Sequence, residues 1–303
     1  MVLDFEQRLA GLMDRERIKK DEPMKKHVTF RVGGNADYFV TVKNADEIAA
    51  VINLCKEEKV PYFIMGNGSN LLVGDKGIRG VVIQIAKDMN EIEVDGETIT
   101  AMAGALLSKI AGAALNAGLT GLEFASGIPG TLGGAVVMNA GAYGGEMKDV
   151  LDMVRVLTPE GEILELGKDA LKLGYRTSVV AEKNYIVLDA RIVLKKDDKE
   201  KIREYMEDLK GRRTSKQPLE YPSAGSTFKR PEGYFAGKLI DDAGLRGFAL
   251  GGAQVSEKHC GFVINKDNAT ALEIIKLIEE VQKRVKENSG VALETEVKKV
   301  GEF

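Results

Sequence analysis

The sequence predicts an α+β protein in two parts, a larger one over residues 1–197 and a smaller one over 198–303. Three observations carry this. Strand-like runs crowd the stretch from Val81 to Leu194 without alternating regularly with helices. Composition changes after Lys195, where a charged helical stretch leads into the Pro-, Gly- and Ser-rich segment Arg213–Gly233. A long helical pattern with its own cap then dominates the remainder of the chain.

At 303 residues the chain can hold two or three units with separate cores. Its 44% hydrophobic and 29% charged residues are those of a soluble globular protein. Lys and Arg number 43 against 46 Asp and Glu, a net charge of −3, so no basic field points to nucleic acid. No apolar run approaches the roughly 20 residues needed to cross a bilayer. The stretch Met1–Glu6 lacks a basic segment leading into an apolar one, and a cytoplasmic location is expected. Cys55 and Cys260 are too few for a disulfide framework or a cysteine-built zinc site, and His27 and His259 add little, so no metal is expected.

Taken in order, the first 30 residues read as charged and helical, and the pattern breaks at Thr29–Asn35. Tyr38–Val42 reads as a strand. Asn44 and Glu47 suggest a helix start in which each side chain reaches the other's free N–H. Ile48, Val51, Ile52 and Cys55 then form one apolar helical face, and Tyr62–Met65 a short strand, giving β–α–β. Strands are expected at Val81–Ile85, Ile92–Val94, Thr98–Met102, Val150–Leu157, Ile163–Leu166 and Tyr185–Leu194, with turns at Asp95-Gly96 and Pro159-Glu160-Gly161. A helix over Ser108–Ala117, closed by Gly118, interrupts them. Within 1–197 the division falls near residue 75. The smaller part opens with a helix over Lys199–Lys210 and continues with one near Tyr234–Ala243. A third spans Ala271–Glu287, capped by Thr270 and Glu273, with an apolar stripe of Ile274, Ile275, Ile278, Val281 and Val285. Val291–Val300 reads as a closing strand.

Two glycine-rich segments stand out. Tyr62–Met65 runs into Gly66-Asn67-Gly68-Ser69-Asn70-Leu71. Glycines just after a strand permit positive φ and turn N–H groups toward an anion, although a plain surface turn fits as well. The second segment is denser: Gly127-Ile128-Pro129-Gly130-Thr131-Leu132-Gly133-Gly134, continuing through Asn139-Ala140-Gly141 to Gly145. Glycine this frequent among apolar residues is entropically costly, which implies that something flat or anionic approaches the backbone. No Gly-Lys-Ser/Thr follows, so neither segment is a Walker A loop. Leu71 stands where a Rossmann fingerprint needs its third glycine.

Other residues carry chemistry only in context. Arg176, in Gly174-Tyr175-Arg176-Thr177-Ser178, reads by itself as an exposed arginine. Ser226, in Ser223–Lys229, reads as a turn former with no neighbouring His or Asp to make it a nucleophile. Alternation places Val291, Leu293 and Val297 on one face, and Ala292, Glu294, Glu296 and Lys298 on the other, with nothing to choose between the two glutamates. Arg213, Lys216 and Lys229 could meet phosphates or form a solvated basic face. His259, preceding Cys260–Asn265, reads as structural.

Thr29–Gly34, Gly66–Leu71, Gly127–Gly145, Tyr175–Ser178, Ser223–Lys229 and Leu293–Val297, in that order along nearly the whole chain, resemble the UDP-N-acetylenolpyruvoylglucosamine reductase family. The resemblance implies a two-part FAD-binding domain of the vanillyl-alcohol-oxidase type followed by a substrate-binding domain, and the short stretch Phe248–Gly261 implies the compact type. It implies non-covalent FAD, held by Arg31, the Gly66–Leu71 loop, Gly127, Ile128, Pro129, Gly130, Gly133, Gly134, Asn139, Ala140 and Gly141. NADPH is implied as co-substrate and a UDP-sugar enolpyruvyl ether as substrate, in a monomer. Arg176 would hold the substrate carboxylate, Ser226 would protonate carbon, and Glu296 would help stabilise the developing charge. Tyr175, Arg213, Lys216 and Lys229 would contact substrate. Arg230 departs from the asparagine common in the family. Two other readings stay open: a flavin oxidase of the same fold, and a non-catalytic flavin or nucleotide-sugar binder.

Overall fold

The computed structural model describes residues 4–303; Met1–Leu3, part of the amino-terminal stretch read above, lie outside the described residues. By contact the chain divides into two compact units. One takes the residues up to Lys19, Phe39–Asn67 and Val81–Arg212; the other takes Lys20–Tyr38, Gly68–Gly80 and Arg213–Phe303. The last crossing therefore falls within the charged helix, after Arg212, instead of preceding it. That helix runs Lys199–Lys216, beyond Lys210, because nothing after Gly211 breaks it until Pro218.

The first unit is built on a five-stranded antiparallel sheet in the order Ile163–Gly167, Leu151–Leu157, Ile186–Val193, Thr98–Met102, Ile92–Asp95. Ile186–Ala190 are buried at five successive positions, as a central strand covered on both faces requires. The helix Leu107–Ala117 ends on Gly118 in the left-handed conformation, φ 69°. Tyr62–Met65 pairs in parallel with Val81–Gln84, and Val42 donates to the Gln84 carbonyl at 3.4 Å, so 81–84 lies between the other two runs.

The amino-terminal helical reading fails after one short helix, Phe5–Ala10. Ile18–Pro23 is a strand with exposed Lys19, Lys20 and Asp21. Charged side chains are tolerated on an uncovered strand face, so charge did not signal a helix there. The helix Ala45–Glu57 forms with its expected face buried. Only half of its capping box is made: Asn44 accepts the Glu47 N–H at 2.9 Å, but Glu47 accepts from the Lys43 N–H at 2.9 Å and from Arg17 at 2.5 Å. A half-buried guanidinium outcompetes the backbone N–H for that carboxylate.

The second unit packs the helix Ala271–Ser289 on a three-stranded antiparallel sheet, Ala249–Leu250, Ala253–Val255 and Val263–Asn265. Its core includes Ile274, Leu277, Ile278 and Val281 together with Phe30, Val32 and Leu72, which explains why two amino-terminal passages belong to it. Thr270 and Glu273 make the full capping box, and Asp75 accepts the Ala271 and Leu272 N–H groups at 2.8 and 2.9 Å. The closing strand is shorter than its alternation suggested. Only Lys298–Val300 is strand, parallel to Leu71–Val73, while Thr295 makes a single bridge to Phe228. The buried alternation of Leu293 and Val297 persists because the segment changes partners midway, from 227–229 to Asn70.

Candidate functional site

In the first unit the two glycine segments stand against each other. A Cβ on Gly66 would lie 2.2 Å from the Thr131 Oγ1, and the Asn67 amide donates to the Pro129 carbonyl at 2.6 Å. Part of the glycine density is thus required by the protein's own packing. Gly133 is confined by Ala103, whose Cβ would lie 3.2 Å from a Cβ at residue 133, and its N–H is engaged by the Ala103 carbonyl at 2.8 Å. Gly141 is crowded by the Gly145 carbonyl, 2.7 Å from where its Cβ would stand, in the tight hairpin Gly141–Glu146. Gly134 differs. It is exposed, and an added Cβ would meet only Thr131 Oγ1 at 3.8 Å, an ordinary contact. Within Gly66–Leu71 and Gly127–Gly134 the exposed members are Asn67, Gly127, Pro129 and Gly134, and a backbone surface so thinly covered by side chains suits a diphosphate or a flat ring. The exposed backbone of Gly127–Gly134 therefore fits FAD, while the Ile128, Leu132 and Gly133 N–H groups are already taken by the Ala125, Ala105 and Ala103 carbonyls.

Arg176 sits at the tip of a two-residue turn. Gly174 and Thr177 exchange both backbone hydrogen bonds, at 3.1 and 3.3 Å, and Arg176 takes φ +57°. The guanidinium lies 5.0 Å from the centre of the exposed Tyr175 ring. Asn139, expected at the cofactor, is fully buried, and its side-chain amide is engaged by Glu146, Gly174 and Lys148. Its amide is committed to protein partners, which corrects that expectation as far as the side chain is concerned.

The second unit carries Ser226 and Glu296. Thr227, buried, donates its N–H to the Gly261 carbonyl at 2.9 Å, and its hydroxyl accepts the Val263 N–H at 2.9 Å. The Thr227 carbonyl accepts the Glu296 N–H at 2.8 Å, and the Glu294 carbonyl accepts the Lys229 N–H at 2.8 Å. Ser226 is thereby exposed on a loop pinned by its neighbour, beside the segment bearing Glu296. The glutamates now separate: Glu294 is 74% exposed and pairs with Lys229 at 2.9 Å, whereas Glu296 is half-buried and its carbonyl accepts from Asn70 at 3.2 Å. Sequence reasoning missed Thr227, because nothing in Ser-Thr-Phe marks which residue is the anchor.

Gly68, at φ +62°, would carry a Cβ 2.1 Å from the His27 carbonyl, so backbone packing requires it. The loop Gly66–Leu71 is divided between units after Asn67, with Gly68, Ser69, Asn70 and Leu71 in the second unit alongside Arg31. Arg31 is exposed at φ +55° and flanked by Phe30, whose carbonyl accepts from the buried Asn265 at 3.2 Å. Arg213 is half-buried and Lys216 exposed on the last turn of their helix. Arg230 stacks 4.0 Å over the Phe235 ring and donates to the Tyr234 carbonyl at 3.3 Å. His259 packs edge-on to Phe262 and accepts the Gly261 N–H at 3.1 Å; burial holds its pKa below the usual imidazole range, as a structural histidine requires. Among the described residues there is no cluster of three or more metal-ligating side chains. No helix of these residues is long and apolar enough to cross a membrane.

Comparison with known proteins first defines the class. Residues 36–167 match the FAD binding domain family, and residues 217–300 match the C-terminal domain of UDP-N-acetylenolpyruvoylglucosamine reductase. The chain is thus an α+β flavoprotein with a carboxy-terminal domain particular to one group of reductases. It is 57% identical over 296 residues to the UDP-N-acetylenolpyruvoylglucosamine reductase of Agathobacter rectalis, covering 94% of each chain. It is 54% identical over 299 residues to that of Clostridium perfringens, covering 99% of this chain and 98% of the relative. The crystal structure of the reductase from Thermus caldophilus superposes with a TM-score of 0.81 at 36% identity, covering 94% of this chain and 99% of the other. The chain belongs to the UDP-N-acetylenolpyruvoylglucosamine reductase family.

Proposed function

We propose that this chain catalyses the NADPH-dependent, FAD-mediated reduction of UDP-N-acetyl-3-O-(1-carboxyvinyl)glucosamine to UDP-N-acetylmuramate, a step in peptidoglycan precursor synthesis. Kinship over nearly its whole length with reductases of that name carries the reading. When bound, FAD would supply a two-electron relay between NADPH and the enolpyruvyl methylene carbon.

The chain's own residues do the rest. Arg176 holds the substrate carboxylate, for which a permanently charged, planar fork offers two parallel hydrogen bonds. Ser226 gives its hydroxyl proton to the carbon next to the one that takes the hydride, so hydride and proton together saturate the double bond and leave a lactyl ether. An ordinary serine hydroxyl is a weak acid and acts only toward a strongly basic carbanion or enolate beside it. Glu296, with Arg176, stabilises the negative charge that develops on the enolate-like carboxylate. Fixed donors aimed at growing charge contribute about 3–4 kcal/mol each.

The same reading assigns the FAD cradle to Arg31, to residues 66–71, and to the backbone of 127–134 and 140–141. It assigns Tyr175, Arg213, Lys216 and Lys229 to the UDP-sugar. The FAD-binding part is taken as 1–197 and the substrate-binding part as 198–303, with the two family matches falling on either side of that division. A cytoplasmic monomer of the compact type completes the proposal.

Anaerobic single-turnover spectra test it. NADPH should bleach the flavin of the purified holoprotein, and the enolpyruvyl sugar nucleotide should then restore its colour. Bleaching without recovery would assign the chain to a different oxidant substrate.

A further inference from the structure

Asn139 meets the first residue of the Arg176 turn and the Arg176 guanidinium at its tip. It caps the helix Leu132–Met138 in the left-handed conformation, φ 43° and ψ 58°, and is fully buried. One amide N–H goes to Glu146 Oε2 at 2.5 Å and the other to the Gly174 carbonyl, the first residue of the turn, at 3.0 Å. Its Oδ1 accepts the Lys148 N–H at 2.9 Å. Its backbone carbonyl receives Arg176 Nη1 in a long contact of 3.5 Å. Next in the chain to the turn, the buried Ser178 donates to the Val137 carbonyl at 2.7 Å, so the turn is tied twice to the end of one helix.

These demands select asparagine. The left-handed backbone is open to glycine and, among residues with side chains, most readily to asparagine and aspartate. Aspartate has no donor for Glu146 and Gly174 and would set a second carboxylate against the first. Glycine suits the backbone and has no amide. Arg176 itself occupies a strained left-handed conformation, φ +57°, and such strain persists only where the surroundings over-determine it.

We propose that Asn139 is a positioning residue for Arg176, setting the guanidinium for two-point capture of the substrate carboxylate. The inference rests on the assignment of Arg176 to that carboxylate. Because the Asn139 amide is fully engaged within the protein, its removal acts on the substrate half-reaction and leaves flavin binding in place. Misplacing a reacting contact by about 1 Å can cost on the order of a hundredfold in rate.

A double-mutant cycle on the holoprotein tests this, with flavin bleaching by NADPH and reoxidation by the enolpyruvyl substrate measured separately. Asn139→Gly keeps the left-handed backbone. It should slow reoxidation by about 10–100-fold and raise the substrate concentration for half-maximal rate. FAD content and bleaching by NADPH should stay within about twofold. In an Arg176→Ala background the same substitution should add less than about twofold, since the group it positions is gone. Equal losses in both backgrounds, or normal reoxidation by Asn139→Gly, overturn the proposal. If Arg176→Ala alone reoxidises normally, the assignment of Arg176 fails and the inference falls with it, a result separable from additivity. Should Asn139→Gly lose its flavin, Glu146→Gln, which weakens one leg of the clamp, replaces it in the cycle. Its smaller loss must also vanish in the Arg176→Ala background, and persistence there overturns the proposal.

Discussion

The turn bearing Arg176 and the loop bearing Ser226 present polar groups by different means. The turn is closed by its own residues, Gly174 and Thr177, and braced from one nearby helix end through Asn139 and Ser178. The serine loop closes nothing by itself. It is held through Thr227 by Gly261, Val263 and Glu296, while the Ser223 carbonyl takes the Thr29 hydroxyl at 2.6 Å, 194 residues away in sequence. Strain in a bent backbone makes the first precise, whereas the packing of a whole core makes the second. Damage to the turn should therefore be local, and damage to the scaffold beneath the serine loop should be global.

The largest expected effect breaks that scaffold. Gly68→Val places a side chain against the His27 carbonyl at a positive φ, and Thr29 bonds the Gly68 carbonyl at 3.3 Å. It should give little soluble protein and no bound flavin, read from expression yield and the flavin spectrum. Gly134→Ala is its counterpart. Packing tolerates the methyl group, so the variant's apoprotein should melt as the parent apoprotein does while its FAD affinity falls; unaltered affinity would mean that the cofactor does not approach Gly134.

Next in size is Ser226→Ala. The loop is anchored by Thr227, so removing an exposed hydroxyl should leave stability and NADPH-driven bleaching intact while slowing reoxidation by about 100-fold or more. Equal slowing of both half-reactions would assign Ser226 to structure.

A smaller effect concerns stability alone. Hydrogen bonding and charge from Arg17 hold the Glu47 carboxyl below its ordinary range, so the pair stabilises the fold above the unfolded pKa near 4.5, and this is lost as pH falls through the lower folded value. Arg17→Met should cost about 1–3 kcal/mol at neutral pH in denaturant melts, with the difference from the parent shrinking in acid. A pH-independent difference would point to packing instead. The smallest effect should come from Thr270→Ala, about 1 kcal/mol, because Asp75 continues to serve the first N–H groups of that helix.

Local codes were legible. The helix Ala271–Ser289 announced itself through a capping box and a 3.6-residue stripe, with Leu277 buried where Ile275 is only partly so. The strands of the five-stranded sheet appeared within a residue of their expected positions, helped by the turn signals between them, whereas Asn35–Thr41 and Ile78–Gln84 each begin three residues before the expected Tyr38 and Val81. Illegible was anything decided by competition between partners. Glu47 was free to choose backbone or Arg17, and only folding brings Arg17 close. The run 291–300 alternates like one strand, yet its hydrogen bonds go first to 227–229 and then to Asn70.

By itself, then, the sequence determined the α+β class, the helices and strands outside the amino-terminal and closing segments, the glycine segments and, through family resemblance, the reductase chemistry. These depend on periodicity, caps and residue types that are read within a few positions of the chain. The tertiary structure alone decided which glycines serve the protein's own packing, that Lys229 takes Glu294 as its ion-pair partner, and that Asn139 turns inward to brace Arg176. Those outcomes depend on which distant groups meet, and a buried donor or acceptor takes the partner that folding places within reach.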